Sequence, residues 1–182
     1  MILDQLHPDK TWTLFLDRDG VINTTPPNAY VLSWKEFSFN DGVFAAISRL
    51  SEVFGKIIVI TNQQGVGKGL MSEKELWQIH INMKEEIEKN DGRIDAIYAA
   101  TELATKDVEG MRKPNPGMAL KAKRDFPEID FSKSVVVGDA ITDMQFGKAA
   151  GMFTVFVTHN IDEEHQHDEV IDFKIKSLAD LV

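Results

Sequence analysis

Short runs of apolar and β-branched residues alternate with amphipathic stretches along this chain, and that alternation limits the folds it can adopt. The runs at residues 11–17, 56–61, 94–99, 134–137 and 153–157 are predicted strands. The second run is apolar almost throughout, which is typical of a strand covered on both faces. Strands separated by helices at this spacing predict an α/β fold, a three-layer, doubly wound parallel sheet with helices on both faces.

The stretches between the strands carry helix signals. Ser72 and Glu75 form a capping box before a long amphipathic segment. Asn115 and Pro116 predict the N-cap and first turn of a later helix, and Gly151 predicts the end of another. The predicted helices cover about 41–54, 72–90, 115–126 and 142–150, and an edge strand with a short helix is expected within 171–182.

The 182 residues suit one domain over 1–182, and the apolar fraction of 43% is ordinary for a globular protein. The absence of cysteine excludes a disulfide framework, a thiolate zinc site and a cysteine nucleophile. There is no apolar run of membrane-spanning length, and the acidic N-terminus is unlike a signal peptide. We therefore expect a cytoplasmic monomer with no membrane partner.

The net charge of −9 argues against a broad surface for binding nucleic acid. It is compatible with a small anionic ligand, because a few local cations can reverse the potential within a cleft. The sequence therefore favours a small-molecule partner over a nucleic acid.

Polar side chains stand where the predicted strands end. In a parallel sheet all carboxyl ends share one edge, so these groups are expected to meet in one cleft. Taken alone, Asp19-Gly20 could be an ordinary turn after a strand. The polar groups at the strand ends and before the third helix are Asp17, Asp19, Thr61, Asn62, Arg112, Lys113, Asp139 and Asp143.

Carboxylates, a hydroxyl and a lysine are the groups that phosphoryl transfer requires. A phosphate monoester repels an attacking carboxylate, so a hard cation such as Mg²⁺ must neutralise the approach. One aspartate can attack phosphorus, and a second acid can protonate the leaving oxygen. A lysine and a hydroxyl can stabilise the equatorial phosphate oxygens.

These residues fall in segments that resemble the four ordered motifs of the haloacid dehalogenase (HAD) superfamily. The four segments are 17–22, 61–62, 113–114 and 138–143. A narrower resemblance, to the histidinol-phosphatase and D,D-heptose 1,7-bisphosphate phosphatase branch, is carried by 15–23, 61–69 and 112–118. Together they cover roughly 13–157, and the tail is unmatched. The resemblance implies a Rossmann-like HAD core and a phosphatase.

The resemblance also implies a role for each residue at the motif positions. Asp17 would be the nucleophile and Asp19 the general acid and base. Asp17, the main-chain carbonyl of Asp19, and Asp139 would hold Mg²⁺, while Thr61 and Lys113 would bind the transferring phosphate.

Three further residues receive supporting roles from the same resemblance. Asn62 and Arg112 would orient the phosphate or the rest of the substrate, and Asp143 would support the metal site. The branch usually carries a Cys/His zinc loop before the lysine motif, but residues 99–111 contain neither residue type, so zinc is not expected. Ala140 stands where many members have lysine.

The resulting hypothesis is an Mg²⁺-dependent phosphomonoester hydrolase that forms an aspartyl-phosphate. Its substrate would be a small phosphorylated metabolite, a sugar phosphate such as D,D-heptose 1,7-bisphosphate, or histidinol phosphate. Two alternatives are a nucleic-acid 3′-phosphatase and a non-catalytic domain that binds a phosphorylated ligand. The first is disfavoured by the net charge and the second by the complete set of acidic residues and lysine.

The motif spacing leaves no room for a large cap domain. Residues 26–34 and 100–111 are therefore expected to provide substrate selectivity. The glycine-rich segment 65–69 departs from the Walker pattern and is predicted to be a turn. His80 is expected at the surface or at the boundary of the core, and the histidines of the tail, at 159, 165 and 167, in a solvated loop.

Overall fold

All strands of the computed structural model belong to one parallel sheet. The model describes residues 2–24, 30–107, 109–159, 161 and 168–182. The strands are β1 (Thr13–Leu16), β2 (Lys56–Asn62), β3 (Ala96–Ala100), β4 (Ser134–Gly138), β5 (Phe153–Val157) and β6 (Phe173–Ile175). Their order in the sheet is β3-β2-β1-β4-β5-β6, and every neighbouring pair is parallel. The predicted α/β class is confirmed.

Helices connect the strands and cover both faces of the sheet. The α-helices are α1 (Ile2–Leu6), α2 (Val43–Val53), α3 (Gln64–Gly67), α4 (Glu73–Lys89), α5 (Gly117–Asp125) and α6 (Ile141–Ala150). Short 3₁₀ turns cover Trp34–Glu36, Ala104–Lys106, Phe131–Lys133, Asp168–Val170 and Leu178–Leu181. One face packs against α2, α4 and the last 3₁₀ turn, and the other packs against α5 and α6. This is the predicted three-layer, doubly wound arrangement.

Strand β1 is buried from both sides, which explains its unbroken apolar sequence. Leu14 and Leu16 point into the core beneath α2, whereas Phe15 points into the core beneath α5 and α6, as the two-residue repeat of a strand requires. Leu16 lies level with Val59 of β2 and Val137 of β4. Because the chain proceeds to opposite sides of β1, the carboxyl end of β1 is a topological switch point, where ligands bind in such sheets.

The structure corrects several predicted element boundaries. The first strand is shorter than predicted, since Trp12 closes a turn by donating from its backbone N–H to the carbonyl of Asp9. Asn115 is not an N-cap: α5 begins at Gly117 with Pro116 at the cap position, and the Asn115 side chain donates instead to Asp107. The capping box of Ser72 and Glu75 at the start of α4 is confirmed.

Two helices were not predicted. Helix α1 is only five residues long and has no buried residue, so it carries little periodicity. Helix α3 lies in the glycine-rich segment that we expected to be a turn. A Cβ atom on its Gly67 would stand 2.7 Å from the carbonyl oxygen of Thr101, so this glycine permits a close approach of two backbones.

The absence of a large cap domain is borne out for the described residues. Between β1 and β2 the described residues form a 3₁₀ turn and α2, and between β2 and β3 the chain forms α3 and α4. Within the described part of the chain, no helix has the length and apolar character needed to cross a membrane.

The contact between α6 and the sheet provides a stability test. A Cβ atom at Gly147 of α6 would stand 2.3 Å from Cγ1 of Val136 and 2.8 Å from Cγ2 of Thr154. We expect Gly147→Ala to lower the free energy of unfolding by about 1–3 kcal/mol, because overpacking outweighs the better helix propensity of alanine. Denaturant titration measures this change.

The exposed neighbour Ala149 is a control for helix propensity alone. Ala149→Gly removes no core contact, so we expect a loss of about 1 kcal/mol. A Gly147→Ala variant more stable than the wild type would contradict the close packing of α6 on β4 and β5.

Candidate active site

The ammonium group of Lys113 joins the ends of three segments. Its Nζ lies 2.8 Å from Oδ1 of Asp17, which follows β1, and 2.6 Å from Oδ1 of Asp143 in α6. It also donates to the carbonyl of Ile60 in β2, at 3.2 Å. Lys113, Asp17 and Asp143 are all buried, so the expected convergence of polar groups at this sheet edge is present for these residues.

The Asn62 side chain fixes the backbone of Lys113. The backbone N–H of Lys113 donates to Oδ1 of Asn62 at 3.0 Å, and Nδ2 of Asn62 donates to the Lys113 carbonyl at 3.1 Å. Upstream, the Asp107 carboxylate accepts from the backbone N–H groups of Met111 and Arg112. The backbone of Lys113 is therefore fixed by Asn62, and the two residues before it are fixed by Asp107.

Burial and like charge disturb the acidic groups of this cluster. Burial raises the pKa of Asp17 well above its usual value, Lys113 opposes that rise, and the charge of Asp143 adds to it. Asp139 is exposed to solvent on one side, but the surrounding protein displaces water from its carboxyl group, and this, followed by the charge of Asp143, raises the pKa of Asp139 to about 6. For Lys113, burial alone would lower the pKa, but Asp143 and Asp17 outweigh it and raise the pKa, so the lysine stays charged.

Three carboxylates of the site fit a divalent cation. Asp17, Asp139 and Asp143 each offer an oxygen, and these oxygens all lie within 4.8 Å of one another. Lys113 pairs with two of them, Asp17 and Asp143, so the three ionised carboxylates and this ammonium together have a net charge of −2. Hard oxygen donors with excess negative charge suit Mg²⁺.

Two glycines give these carboxylates room. Gly20 has a φ of +84°, and a Cβ atom there would stand 1.8 Å from Oδ2 of Asp139. At Gly138, the last residue of β4, a Cβ atom would stand 2.3 Å from the Cβ atom of Asp143. Both oxygens of Asp143 have contacts, since Oδ1 pairs with Lys113 and Oδ2 accepts from the N–H of Ala140 at 3.0 Å.

Asp19 lies at the same sheet edge but has different partners. Nη2 of Arg18 lies 2.9 and 3.0 Å from its two oxygens, and Nε of Arg18 donates to Oδ1 at 3.2 Å. Nδ2 of Asn23 donates to Oδ1 at 3.0 Å, and Nε2 of Gln63 donates to Oδ2 at 2.7 Å. About 23% of the Asp19 side chain is exposed. The carboxylate is thus firmly held yet open to the cleft.

Sequence reasoning missed Arg18, Asn23, Gln63 and His80 as contributors to this arrangement. The prediction that His80 lies at the surface or at the boundary of the core is wrong: its side chain is fully buried, and Nε2 lies 3.1 Å from Nη1 of Arg18. One signal was present, because His80 follows Leu76 by four residues and precedes Met83 by three, which puts it on the buried stripe of α4.

Thr61 and Arg112 stand at the margins of the charged cluster. Thr61 is buried, and its hydroxyl accepts from Nε2 of Gln63 at 2.8 Å. Arg112 lines a separate cavity of about 210 Å³ beside the end of β3, together with Glu102, Asp107 and Glu109. Its Nη1 atom is buried and has no hydrogen-bond partner among the described residues. No direct contact joins Arg112 to Asp17 among the side-chain contacts described.

Parts of the predicted selectivity loops and tail lie outside the described residues, namely 26–29, 108, and the histidines at 165 and 167. Within the described part, Nζ of Lys68 donates to the hydroxyl of Tyr30 at 2.8 Å. This contact joins α3 and its C-terminal end to the loop that follows β1.

Comparisons with known proteins assign the chain to the superfamily that its sequence motifs resemble. The family model described as HAD-hydrolase-like matches residues 110–181. The D-glycero-α-D-manno-heptose-1,7-bisphosphate 7-phosphatase of Mycobacterium bovis is 37% identical over 134 residues, which are 74% of this chain and 70% of that protein. The corresponding β-heptose enzyme of Escherichia coli K12 is 35% identical over 175 residues, 92% of this chain and 90% of that protein. The chain belongs to the HAD-like phosphatases.

A solved structure supports the fold of this HAD-like phosphatase. The D,D-heptose 1,7-bisphosphate phosphatase from B. bronchiseptica, complexed with magnesium and phosphate, superposes with a TM-score of 0.84. It is 28% identical and covers 93% of this chain and 95% of its own. The resemblance drawn from the sequence motifs, and the phosphatase class, are confirmed.

The buried ion pairs of Lys113 predict a strong effect on stability. We expect Lys113→Met to lower the free energy of unfolding by about 3–5 kcal/mol near neutral pH, because Asp17 and Asp143 lose their shared counter-ion. Lys56→Met is the matched control, since Lys56 pairs at the surface with Glu128, and we expect it to cost about 1 kcal/mol or less. Equal effects of the two substitutions would contradict the account.

The buried His80 predicts a component of stability that depends on pH. Burial, and then the charge of Arg18, lower its pKa to about 3, so the folded protein keeps it neutral while the unfolded chain protonates below about pH 6.5. The contribution is complete above about pH 6.5 and is lost as the pH falls toward 3.

Between pH 7 and pH 5, His80→Gln should therefore lose about 1–2 kcal/mol less unfolding free energy than the wild type. Denaturant titrations at both pH values measure the difference. The same loss in both proteins would show that His80 is protonated in the folded state.

Proposed function

We propose that this HAD-like phosphatase uses Mg²⁺ and Asp17 to remove a phosphate from a phosphorylated sugar, foremost D-glycero-D-manno-heptose 1,7-bisphosphate. The main supporting observation is the buried contact of Lys113 with Asp17 and Asp143, beside Asp139. This contact places the ammonium group of Lys113 beside the carboxylate of Asp17, at the carboxyl end of the sheet. That combination suits the attack of an acid on an anionic ester.

In the first half-reaction, a carboxylate oxygen of Asp17 attacks phosphorus in line with the ester oxygen. A P–O bond forms to Asp17, the P–O bond to the sugar breaks, and Asp19 gives its proton to the departing sugar oxygen. Lys113 and the Thr61 hydroxyl stabilise the equatorial phosphate oxygens. The contacts of Asp17 Oδ1 with Lys113 and with the Arg18 N–H orient the carboxylate for this attack.

In the second half-reaction, a water molecule attacks the phosphorus of the aspartyl-phosphate. Asp19, now ionised, accepts a proton from the water, and the P–O bond to Asp17 breaks to release inorganic phosphate. The same carboxylate therefore serves as acid and then as base, and the cycle returns both aspartates to their starting forms.

The proposed cofactor follows from the donor set. Asp17, Asp139 and the main-chain carbonyl of Asp19 would hold Mg²⁺, with Asp143 in support through Lys113 and the N–H of Ala140. When bound, Mg²⁺ supplies positive charge that offsets the repulsion between the carboxylate and the phosphate. Zinc is not proposed, because residues 99–111 contain no cysteine or histidine.

The proposed substrate rests on the relatives, whose names include both the α and the β anomer of the heptose bisphosphate. The margins of the site contain groups that could contact the rest of such a substrate. Arg112 lines the cavity beside β3, and Lys68 with Tyr30 forms a contact between α3 and the preceding loop. We further propose that the 182 residues act as a single domain and a monomer.

A direct test compares phosphate release from several substrates. We expect turnover of at least one heptose 1,7-bisphosphate anomer to exceed that of histidinol phosphate and of a 3′-phosphorylated oligonucleotide, and chelation of Mg²⁺ by EDTA to abolish it. Preference for the oligonucleotide would favour the 3′-phosphatase alternative. Absence of turnover on every ester would favour a binding domain.

Substitution of the nucleophile provides the corresponding variant test. Asp17→Asn should lower kcat by about 10³-fold or more, because an amide cannot form the acyl-phosphate. Glu85→Gln, an equivalent change at an exposed position of α4, should retain wild-type kcat. Thermal unfolding of both variants checks that they are folded. Near wild-type turnover by folded Asp17→Asn would refute the assigned role.

A further inference from the structure

Arg18 stands between the two proposed catalytic aspartates, yet its side chain points into the protein. It is the largest of the fully buried side chains in the described part of the chain. Its Nε and Nη2 atoms contact the carboxylate of Asp19 at 2.9–3.2 Å. The guanidinium therefore holds Asp19 from the protein side, while the open side of Asp19 faces the cleft.

The remaining guanidinium nitrogen, Nη1, meets His80. The distance from Nη1 to Nε2 of His80 is 3.1 Å, and both side chains are buried. A guanidinium can only donate, so Nε2 must accept with its lone pair, and the proton of the neutral imidazole must reside on Nδ1. The ring of Phe37, 6.0 Å from Cζ of Arg18, adds a further contact. Arg18 is therefore bound to Asp19 on one side and to His80 on the other.

His80 belongs to a well-anchored part of the fold. It lies in the middle of α4, where Leu76, Ile79 and Met83 are buried. Loss of its acceptor would leave a buried N–H of Arg18 without a partner, which would disfavour the present orientation of the guanidinium. Helix α4 thus provides a fixed reference point for a carboxylate that itself lies in the turn after β1.

We propose that His80 is a positioning residue of the phosphatase reaction, which acts through Arg18 to hold Asp19 where it exchanges a proton with the leaving oxygen. This inference rests on the proposed role of Asp19. It assigns no chemical step to His80, since the imidazole contacts neither the substrate nor the reacting atoms. Its effect is on the orientation of the acid.

The dependence of rate on the leaving group separates this role from general structural support. A sugar alkoxide is a poor leaving group and requires a proton from Asp19, whereas p-nitrophenolate leaves without one. The ratio kcat/KM reports the steps up to formation of the aspartyl-phosphate, where that proton is transferred. A misplaced Asp19 should therefore slow the sugar phosphate much more than p-nitrophenyl phosphate.

Two amide substitutions of His80 form a matched pair. In His80→Gln the amide oxygen can reach the position of Nε2 and accept from Arg18, whereas in His80→Asn the shorter side chain ends near the position of Nδ1. We expect His80→Asn to lower kcat/KM for heptose 1,7-bisphosphate by about 10- to 100-fold, part of the 10²- to 10⁴-fold that proton transfer contributes. Its kcat/KM for p-nitrophenyl phosphate should change less than about 3-fold, and His80→Gln should restore the sugar-phosphate rate.

Equal losses on both substrates, or equal rates for the asparagine and glutamine variants, would overturn the positioning role while leaving the proposed function intact. Absence of turnover by the wild type on any phosphomonoester would refute both. If His80→Asn does not fold, as judged by thermal unfolding, Arg18→Lys decides by the same ratio. That variant keeps the charge but loses the fork to Asp19, so an unchanged substrate ratio would overturn the proposal.

Discussion

The buried ammonium of Lys113 is the interaction on which the rest of the site depends. Removing a charge from water is costly, and such a group persists in a protein interior only when partners surround it. Asp17, Asp143 and the carbonyl of Ile60 are those partners, and they lie directly after β1, in α6 and in β2. The position of Lys113 therefore fixes the relative positions of three segments that are far apart in sequence.

The same cluster carries more negative charge than one lysine can balance. Burial, together with the charges of neighbouring acids, raises the pKa of Asp17 well above its usual value and the pKa of Asp139 to about 6. A bound cation would relieve this electrostatic strain. The excess negative charge costs the folded protein stability, and it would favour the binding of a divalent ion. Such conflicts between stability and function are common at functional sites.

Much of the fold follows from local pattern. The apolar strands and the capping box of α4 could be predicted because burial and capping leave direct marks on the sequence. The acids after β1 and β4 could be placed together because parallel strands end at one edge. The helix α3 could not be predicted, because its glycines disfavour a helix and its position depends on a close approach to Thr101.

The supporting contacts were harder to predict than the charged groups they serve. The pairing of Asn62 with the Lys113 backbone spans 51 residues, and nothing local encodes it. The burial of Arg18 could not be predicted, because strand periodicity ends at Asp17 and tertiary packing decides where the Arg18 side chain points. His80, by contrast, lay on the apolar stripe of α4, and the pattern could have shown that it is buried.

The stereochemical course at phosphorus tests the central claim, attack by Asp17, most directly. A phosphorothioate ester made chiral at phosphorus by two oxygen isotopes would be hydrolysed by the wild-type enzyme in water that carries the third isotope, and the configuration of the thiophosphate product would be determined. Two successive in-line displacements, through an aspartyl-phosphate, predict net retention of configuration. Net inversion would mean that water attacks the substrate directly, and would contradict the account.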